Sequence, residues 1–301
     1  MAWFQRPNAD QRMAVVSPVP GGAGALRLEG DARRPRLAAF AWSHTPLASS
    51  DTLNQLAQQI GARDAPLSAL LDTAQYQTVV LEAPPVPEEE LLGAVRWKIR
   101  DMINFHIDDA VLDHVPVPAG GGRTPSLYVV AARSSAVREL AKPFQEANLH
   151  LEVIDVRESA QNALAARLAP ADYAVALLHM EDDTGLLTFT FGPDLILSRR
   201  IEGRGASGDF LHEKVALEVQ RSVDYFERQY SWFPLAKLFL APMAGAAPLR
   251  TKLTEFLPVG VEQIDLDSLF DLGGSADLQT PARQNEAFHL LGAALREAPH
   301  P

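Results

Sequence analysis

The sequence predicts an α/β chain of two similar halves, with a small α+β module inserted in the first. Three observations point there. A run of three short strands, then a helix and a further strand, occurs twice along the 301 residues. The stretch APPVPEEELL (83–92) interrupts the first half and opens a new amphipathic helix. The length itself allows about two domains.

The first half opens as a meander. Strands are expected at 13–17 (MAVVS), 25–29 (ALRLE) and 36–42 (RLAAFAW), parted by Pro/Gly-rich or basic turns. A helix follows over 51–60, with Asp51 at its start, Leu53, Leu56 and Ile60 as its apolar stripe, and Gly61 just past its end. After a short helical patch comes the buried-looking strand QTVVL (77–81).

The insert is expected over about 82–150. Pro87 and the three glutamates after it suit the first turn of a helix, where carboxylates meet the positive end of the helix dipole. Leu92, Val95, Ile99 and Met102 or Ile103 form its apolar stripe. Trp97 projects about 140° from Leu92, on the opposite side. Strands VLDHVPV (111–117) and SLYVVAA (126–132) flank a Gly-rich tip. A helix over 135–147 carries Pro143, expected to kink it, and Asn148 as a left-handed cap; LEVIDV (151–156) closes the module.

The second half repeats the order. Strands are expected at 173–178, 186–191 and 195–201, a long helix at 209–231, a strand at 237–241, a helix at 247–256 and a strand at 260–264. Leu211, Val215, Val219, Val223, Phe226 and Tyr230 line one face of the long helix. A closing helix begins at Thr280-Pro281 and ends near Arg296. The element order, without any sequence repeat, describes two ribonuclease-H-like halves: residues 1–157, residues 158–280, and a last helix (281–301) packing back.

Composition narrows the function classes. A net charge of −11 disfavours nucleic acid and acidic lipid as partners. With no cysteine, disulfides, thiolate metal sites and cysteine nucleophiles are excluded. The start, MAWFQRPNADQR, lacks a signal-peptide core, and no run reaches the roughly 20 apolar residues of a membrane span. A cytoplasmic protein that meets the membrane only through a partner is expected. Trp3 and Phe4 read as a chain start tucked onto the domain rather than as interfacial anchors.

Local motifs offer little chemistry. HMEDDTG (179–185) follows a strand and brings His179, Glu181, Asp182 and Asp183 together. The spacing lacks the alternating oxygens and fixed glycine of a calcium loop, and there is no HExxH, so a charged hairpin turn without metal is expected. GRGASG (203–208) is a literal GxGxxG. Its strand ends a meander rather than opening a βαβ unit, and Asp224 falls inside the next helix, so it reads as a helix-entry loop. Arg199, Arg200 and Arg204 beside it read as a solvated basic cluster, and Asp108-Asp109 as a turn before a strand. Neither a serine nucleophile elbow nor a Walker loop occurs. Trp97, flanked by Arg96 and Arg100, is either an anchor for another surface or a packing residue between insert and main domain.

PPVPEEELLGAVRWKIRDMINFHIDDAVLDHVPV (84–117) resembles the inserted subdomain of PilM, the actin-like cytoplasmic protein of type IV pilus assembly. The matching features are a Pro-Glu start, a helix ending in Arg-Trp, an Ile-x-Phe turn and a strand with Leu-Asp. ALEVQRSVDYFERQY (216–230) and LGAALRE (291–297) resemble the family's long and closing helices. The short length and weak N-terminal motif look closer to MshI, the counterpart in the mannose-sensitive haemagglutinin (MSHA) pilus.

The resemblance implies an actin-like fold with a nucleotide cleft, and a groove on the first half for the cytoplasmic tail of a PilN/MshJ-like inner-membrane protein. Arg96, Trp97, Arg100 and Phe105 are the candidate partner contacts. It also implies two phosphate loops, each with an Asp and a Gly after a strand, and a Gly-rich adenosine motif. This sequence departs from all three. Val16 or Ser17 stands where the first Asp is expected, Leu177 where the second is, and His179 replaces a glycine. Gly245 stands alone in LAPMAGAAPL (240–249). An Asp organises the Mg²⁺–phosphate complex and glycines let N–H groups approach it; Leu177 does neither.

Ser17, Gly21, Gly22, Gly185 and Gly245 are thus expected as a vestigial nucleotide site, with no cofactor and no catalysis. The expectation is a scaffold at the inner membrane that binds a PilN-like protein and other platform proteins. The alternatives are a working ATP/Mg-binding actin-like ATPase and, further off, the cytoplasmic domain of a type II secretion GspL protein.

Overall fold

The computed structural model describes residues 13–120, 124–203, 205–273 and 275–296. Trp3 and Phe4, the centre of the Gly-rich tip (121–123), Arg204 and the last residue of LGAALRE lie outside them. The chain divides into two units. The first holds the described chain up to Glu29, Leu37–Ala160, and the described chain from Ala293; the second holds Gly30–Arg36 and Gln161–Gly292.

In the first unit, β1 (Ala14–Val19), β2 (Gly22–Glu29) and β3 (Arg36–Ser43) lead to α1 (Ser50–Gln59) and β4 (Leu67–Leu70). Ser49, not Asp51, caps α1, its side chain accepting from the Thr52 N–H. Leu53, Leu56 and Ile60 are buried, as their spacing predicts.

The chain then leaves to build a small second sheet from β5 (Tyr76–Glu82), α2 (Glu88–Ile99), β6 (Ala110–Val117) and β7 (Ser126–Arg133). It returns as α3 (Ser134–Glu146) and β8 (Leu151–Asp155), and α4 (Arg157–Leu168) follows. The main sheet has the order β3-β2-β1-β4-β8, with β1 antiparallel to β2, and β4 parallel to both β1 and β8.

Two readings of this half are corrected. Where only a short helical patch is expected before residue 77, the structure has strand β4 (LSAL) and then one 3-10 turn, Thr73–Gln75. The leucines and alanine of β4 carry little β-propensity. Pairing between β1 and β8, with all four residues buried, decides its conformation. Consequently β5, the QTVVL strand, is not part of the main sheet but an edge of the small one, whose order is β5-β7-β6.

That small sheet is antiparallel throughout. Leu127, Val129 and Ala131 of β7 face α2 at strand spacing, and meet Leu91, Val95 and Ile99 at helix spacing, with Ile107 and Ala110 closing the cluster. Burying each of the larger side chains contributes about 1.5–3 kcal/mol. The stripe begins at Leu91 rather than Leu92, which is 45% exposed. The two adjacent leucines fit either register, and only the partner sheet selects one.

The second unit contains β9 (Ala174–Glu181), β10 (Thr184–Phe191), β11 (Asp194–Glu202), α5 (Gly208–Gln229), β12 (Leu235–Leu240), α6 (Ala246–Phe256), β13 (Gly260–Gln263), α7 (Leu266–Leu269) and α8 (Pro281–Ala293). Its sheet order, β11-β10-β9-β12-β13, repeats the first unit's strand for strand. Val215, Val219, Val223 and Phe226 of α5 are buried, and Phe226 stacks on Phe189 with centroids 4.4 Å apart. Helices α4 and α7 carry little sequence signal and go unpredicted. No described helix is long and apolar enough to cross a membrane.

Candidate functional site

Three places collect the sequence-predicted residues. The first is the outer face of α2. Trp97 is 71% exposed, and the Arg100 guanidinium lies 4.5 Å from its ring centroid. Packing between the insert and the rest of its unit is therefore not the role of Trp97. Leu92 and Met102 (53% exposed) are further apolar groups presented to solvent by α2 and the turn after it. Arg96 and Phe105 behave differently. Arg96 Nη1 and Nη2 donate to the carbonyls of Ile107 (2.5 Å) and Ala110 (3.1 Å), tying α2 to the start of β6. Phe105 is half-buried against the insert core, with Arg133 stacked 4.5 Å over its ring.

The second place is the β1–β2 hairpin. Ser17 is fully buried. Its hydroxyl accepts from the Leu70 N–H at 2.9 Å and has the Pro18 and Leu70 carbonyls at 3.2 and 3.4 Å as acceptors. These partners hold β1 to β4, so the side chain is committed to the sheet. Gly21 takes a positive φ of 77° in the exposed turn. Gly22 has a steric reason to be glycine: a Cβ there would lie 1.9 Å from the Ser43 carbonyl oxygen of β3.

The third is the β9–β10 hairpin. Its two-residue turn, Asp182-Asp183, has Asp182 at φ 51°. Ser17 and His179 each lie three residues before their two-residue turn, so they hold equivalent places in the two hairpins. A Cβ on Gly185 would meet Met180 Sδ at 2.4 Å and the His179 carbonyl at 3.0 Å, which again explains the glycine by strand packing. Leu177 and His179 are buried in the central strand β9. Gly245 enters α6 in the left-handed conformation, φ 65°.

The GRGASG loop joins this hairpin. Its Gly203 N–H donates to the Asp183 carbonyl at 2.7 Å, and a Cβ on Gly203 would clash with Leu211 of α5 at 2.1 Å. The strand before it, β11, is an edge strand paired with β10 and is not a neighbour of β12, so among the described residues the loop does not join two hydrogen-bonded parallel strands as a dinucleotide unit does. Arg199 lies 4.5 Å over the Tyr225 ring.

One residue at this third place was not singled out by the sequence. His289, on α8, lies beside His179 with ring centroids 4.3 Å apart. The 110-residue separation hides the pair from any local motif.

The sequence matches no known family profile and no curated relative. Its structure is of the actin-like class: it superposes on a Bacteroides thetaiotaomicron protein with an actin-like ATPase fold at a TM-score of 0.51 and 9% identity, over 87% of this chain and 96% of that one. Within the class the likeness to PilM is much stronger. The PilM–PilN type IV pilus biogenesis complex gives a TM-score of 0.74 at 21% identity, over 95% of this chain and 98% of the other. The cytoplasmic domain of EpsL, an inner-membrane component of the Vibrio cholerae type II secretion system, gives 0.51 at 13%, over 83% and 97%. The fold is PilM-like, as the sequence resemblance implies.

Proposed function

We propose that this chain is a scaffold of a type IV pilus assembly platform of the MSHA type, held at the cytoplasmic face of the inner membrane by a PilN/MshJ-like single-span protein whose tail it binds. The observation that carries the reading is the near full-length likeness to PilM in its complex with PilN. The outer face of α2 supplies contact chemistry. It presents an exposed tryptophan braced by an arginine, and both residue types are enriched at binding hot spots. Leu92 and Met102 extend the apolar surface.

The scaffold acts by capture rather than catalysis. Ser17 is spent on β4, Leu177 is buried without a polar atom, and Glu181, Asp182 and Asp183 put like charge where a phosphate would have to sit. These features support a degenerate nucleotide site. The likeness to EpsL keeps a type II secretion role as the second reading.

Titration of the full chain with the cytoplasmic tail peptide of the neighbouring single-span pilus protein tests the proposal. Saturable one-to-one binding is expected, weakened at least about tenfold (~1.4 kcal/mol) by Trp97→Ala. No binding of that peptide, with binding of a type II secretion partner instead, would transfer the protein to the second reading.

A further inference from the structure

We propose that His179, Glu181 and His289 form a divalent transition-metal site inside the second unit, of the class that takes Zn²⁺. The inference is independent of the scaffold reading. His179 and Glu181 are two residues apart on β9, so the pleat puts both side chains on one face of the sheet. Helix α8 brings His289 to the same face, and one ligand atom from each of the three side chains lies within 4.8 Å of the others. Two imidazole nitrogens and one carboxylate oxygen are a common zinc donor set, with bonds of about 2.0–2.2 Å. Donors about 3.4 Å apart would satisfy that geometry, so the cluster needs to close by at most about 1.4 Å from its 4.8 Å bound.

The surroundings orient both rings as metal-bound imidazoles are oriented. His179 Nε2 lies 3.1 Å from the Asn285 carbonyl oxygen, which can only accept. That residue is itself held in place, its Nδ2 donating to the carbonyls of Met180 (3.1 Å) and Pro242 (2.7 Å). His289 Nε2 lies 3.1 Å from Gln161 Oε1. The Gln161 amide cannot be reversed, because its Nε2 donates to the Leu177 and Leu186 carbonyls at 2.7 and 3.1 Å and to Thr188 Oγ1 at 3.0 Å. In both contacts the ring Nε2–H is the donor and the fixed oxygen the acceptor. A ring N–H donated to a fixed oxygen sets the tautomer and raises the basicity of the other nitrogen, as in metal-ligating histidines.

Burial completes the case. His179 and His289 are 1% and 5% exposed, and His179 stacks on Phe288 with the ring planes 11° apart. Glu181 is half-buried at the hairpin end. Three protein ligands leave a fourth position for water or another donor. A metal here ties α8 to the β9–β10 hairpin and has a structural role.

The test uses the full chain after treatment with a chelator. Zn²⁺ is titrated by calorimetry, and Co²⁺ by its visible absorption, which reports low coordination number directly. One equivalent should bind with Kd about 1 μM or below, and should raise the thermal midpoint by several degrees, reversed by EDTA. Glu181→Gln, at the half-buried hairpin end, should weaken binding about tenfold or more while leaving the fold intact. His289→Asn should weaken it at least as much. His150→Gln, which removes an exposed histidine 2.9 Å from Glu152, should leave it unchanged. Absence of one-equivalent binding, or equal affinity in the Glu181→Gln and His289→Asn variants, would overturn the site.

Discussion

Tyr76 and Glu158 form a buried polar contact within the first unit. The phenol donates to Glu158 Oε2 at 2.5 Å and accepts from the Arg157 N–H at 3.3 Å. Burial first, and then the Glu158 carboxylate, push the Tyr76 pKa well above its usual value. The folded state therefore keeps a proton that the unfolded chain releases above about pH 10. Stability from this contact is whole below that pH and is lost as pH rises toward the folded pKa. Tyr76→Phe removes the O–H that the buried carboxylate accepts, and is expected to cost about 2–4 kcal/mol at neutral pH. Urea melts at pH 7 and pH 10.5 check both statements: the variant should be less stable at pH 7 and should lose less on going alkaline. None of this was legible in the sequence, where Tyr76 is merely the residue before QTVVL.

At the scale of the element, the two hairpins show why a glycine pattern is a weak guide to chemistry. Gly21 and Gly22 are adjacent and read alike, yet only Gly22 sits under another strand. Alanine at Gly22 would press into the Ser43 carbonyl, and a cost of about 2 kcal/mol or more is expected. The same change at Gly21, which has open space around its Cβ position but φ 77°, should cost about 1 kcal/mol from backbone strain alone. Thermal denaturation of the two variants gives the order directly; equal losses would refute the packing explanation. Helix α2 carries a parallel lesson. Its existence and polar start follow from Pro87, three glutamates and helical spacing. Its register does not, because Leu91 and Leu92 serve equally well until β7 supplies the facing residues.

At the scale of the molecule, the same five-strand order appears in both units, with the small sheet inserted between β4 and α3 of the first. This duplicated frame is one that elsewhere is described as an actin-like ATPase fold. On the scaffold reading proposed above, the frame is kept without the residues that nucleotide chemistry asks of it, its sheet order resting on buried Val, Leu and Ala of the central strands. Calorimetric titration with Mg-ATP should accordingly show no saturable binding at micromolar concentrations, and millimolar Mg-ATP should move the thermal midpoint by less than about 1 °C. A clear midpoint shift with a micromolar Kd would return the protein to the ATP-binding alternative.

The sequence by itself determined the duplicated element order, the helix that opens at Pro87 and the absence of cysteine chemistry. All of these rest on short-range signals: strand alternation, helical spacing, caps and composition. Only the tertiary structure decided that LSAL is a strand, which leucine of α2 is buried, that Arg96 ties α2 to β6 while Trp97 faces solvent, and that His289 stands beside His179. Each of these depends on residues far apart in the chain. A side chain's partner across a sheet or beneath a helix is set by the packing of whole elements, and spacing along the chain carries no record of it.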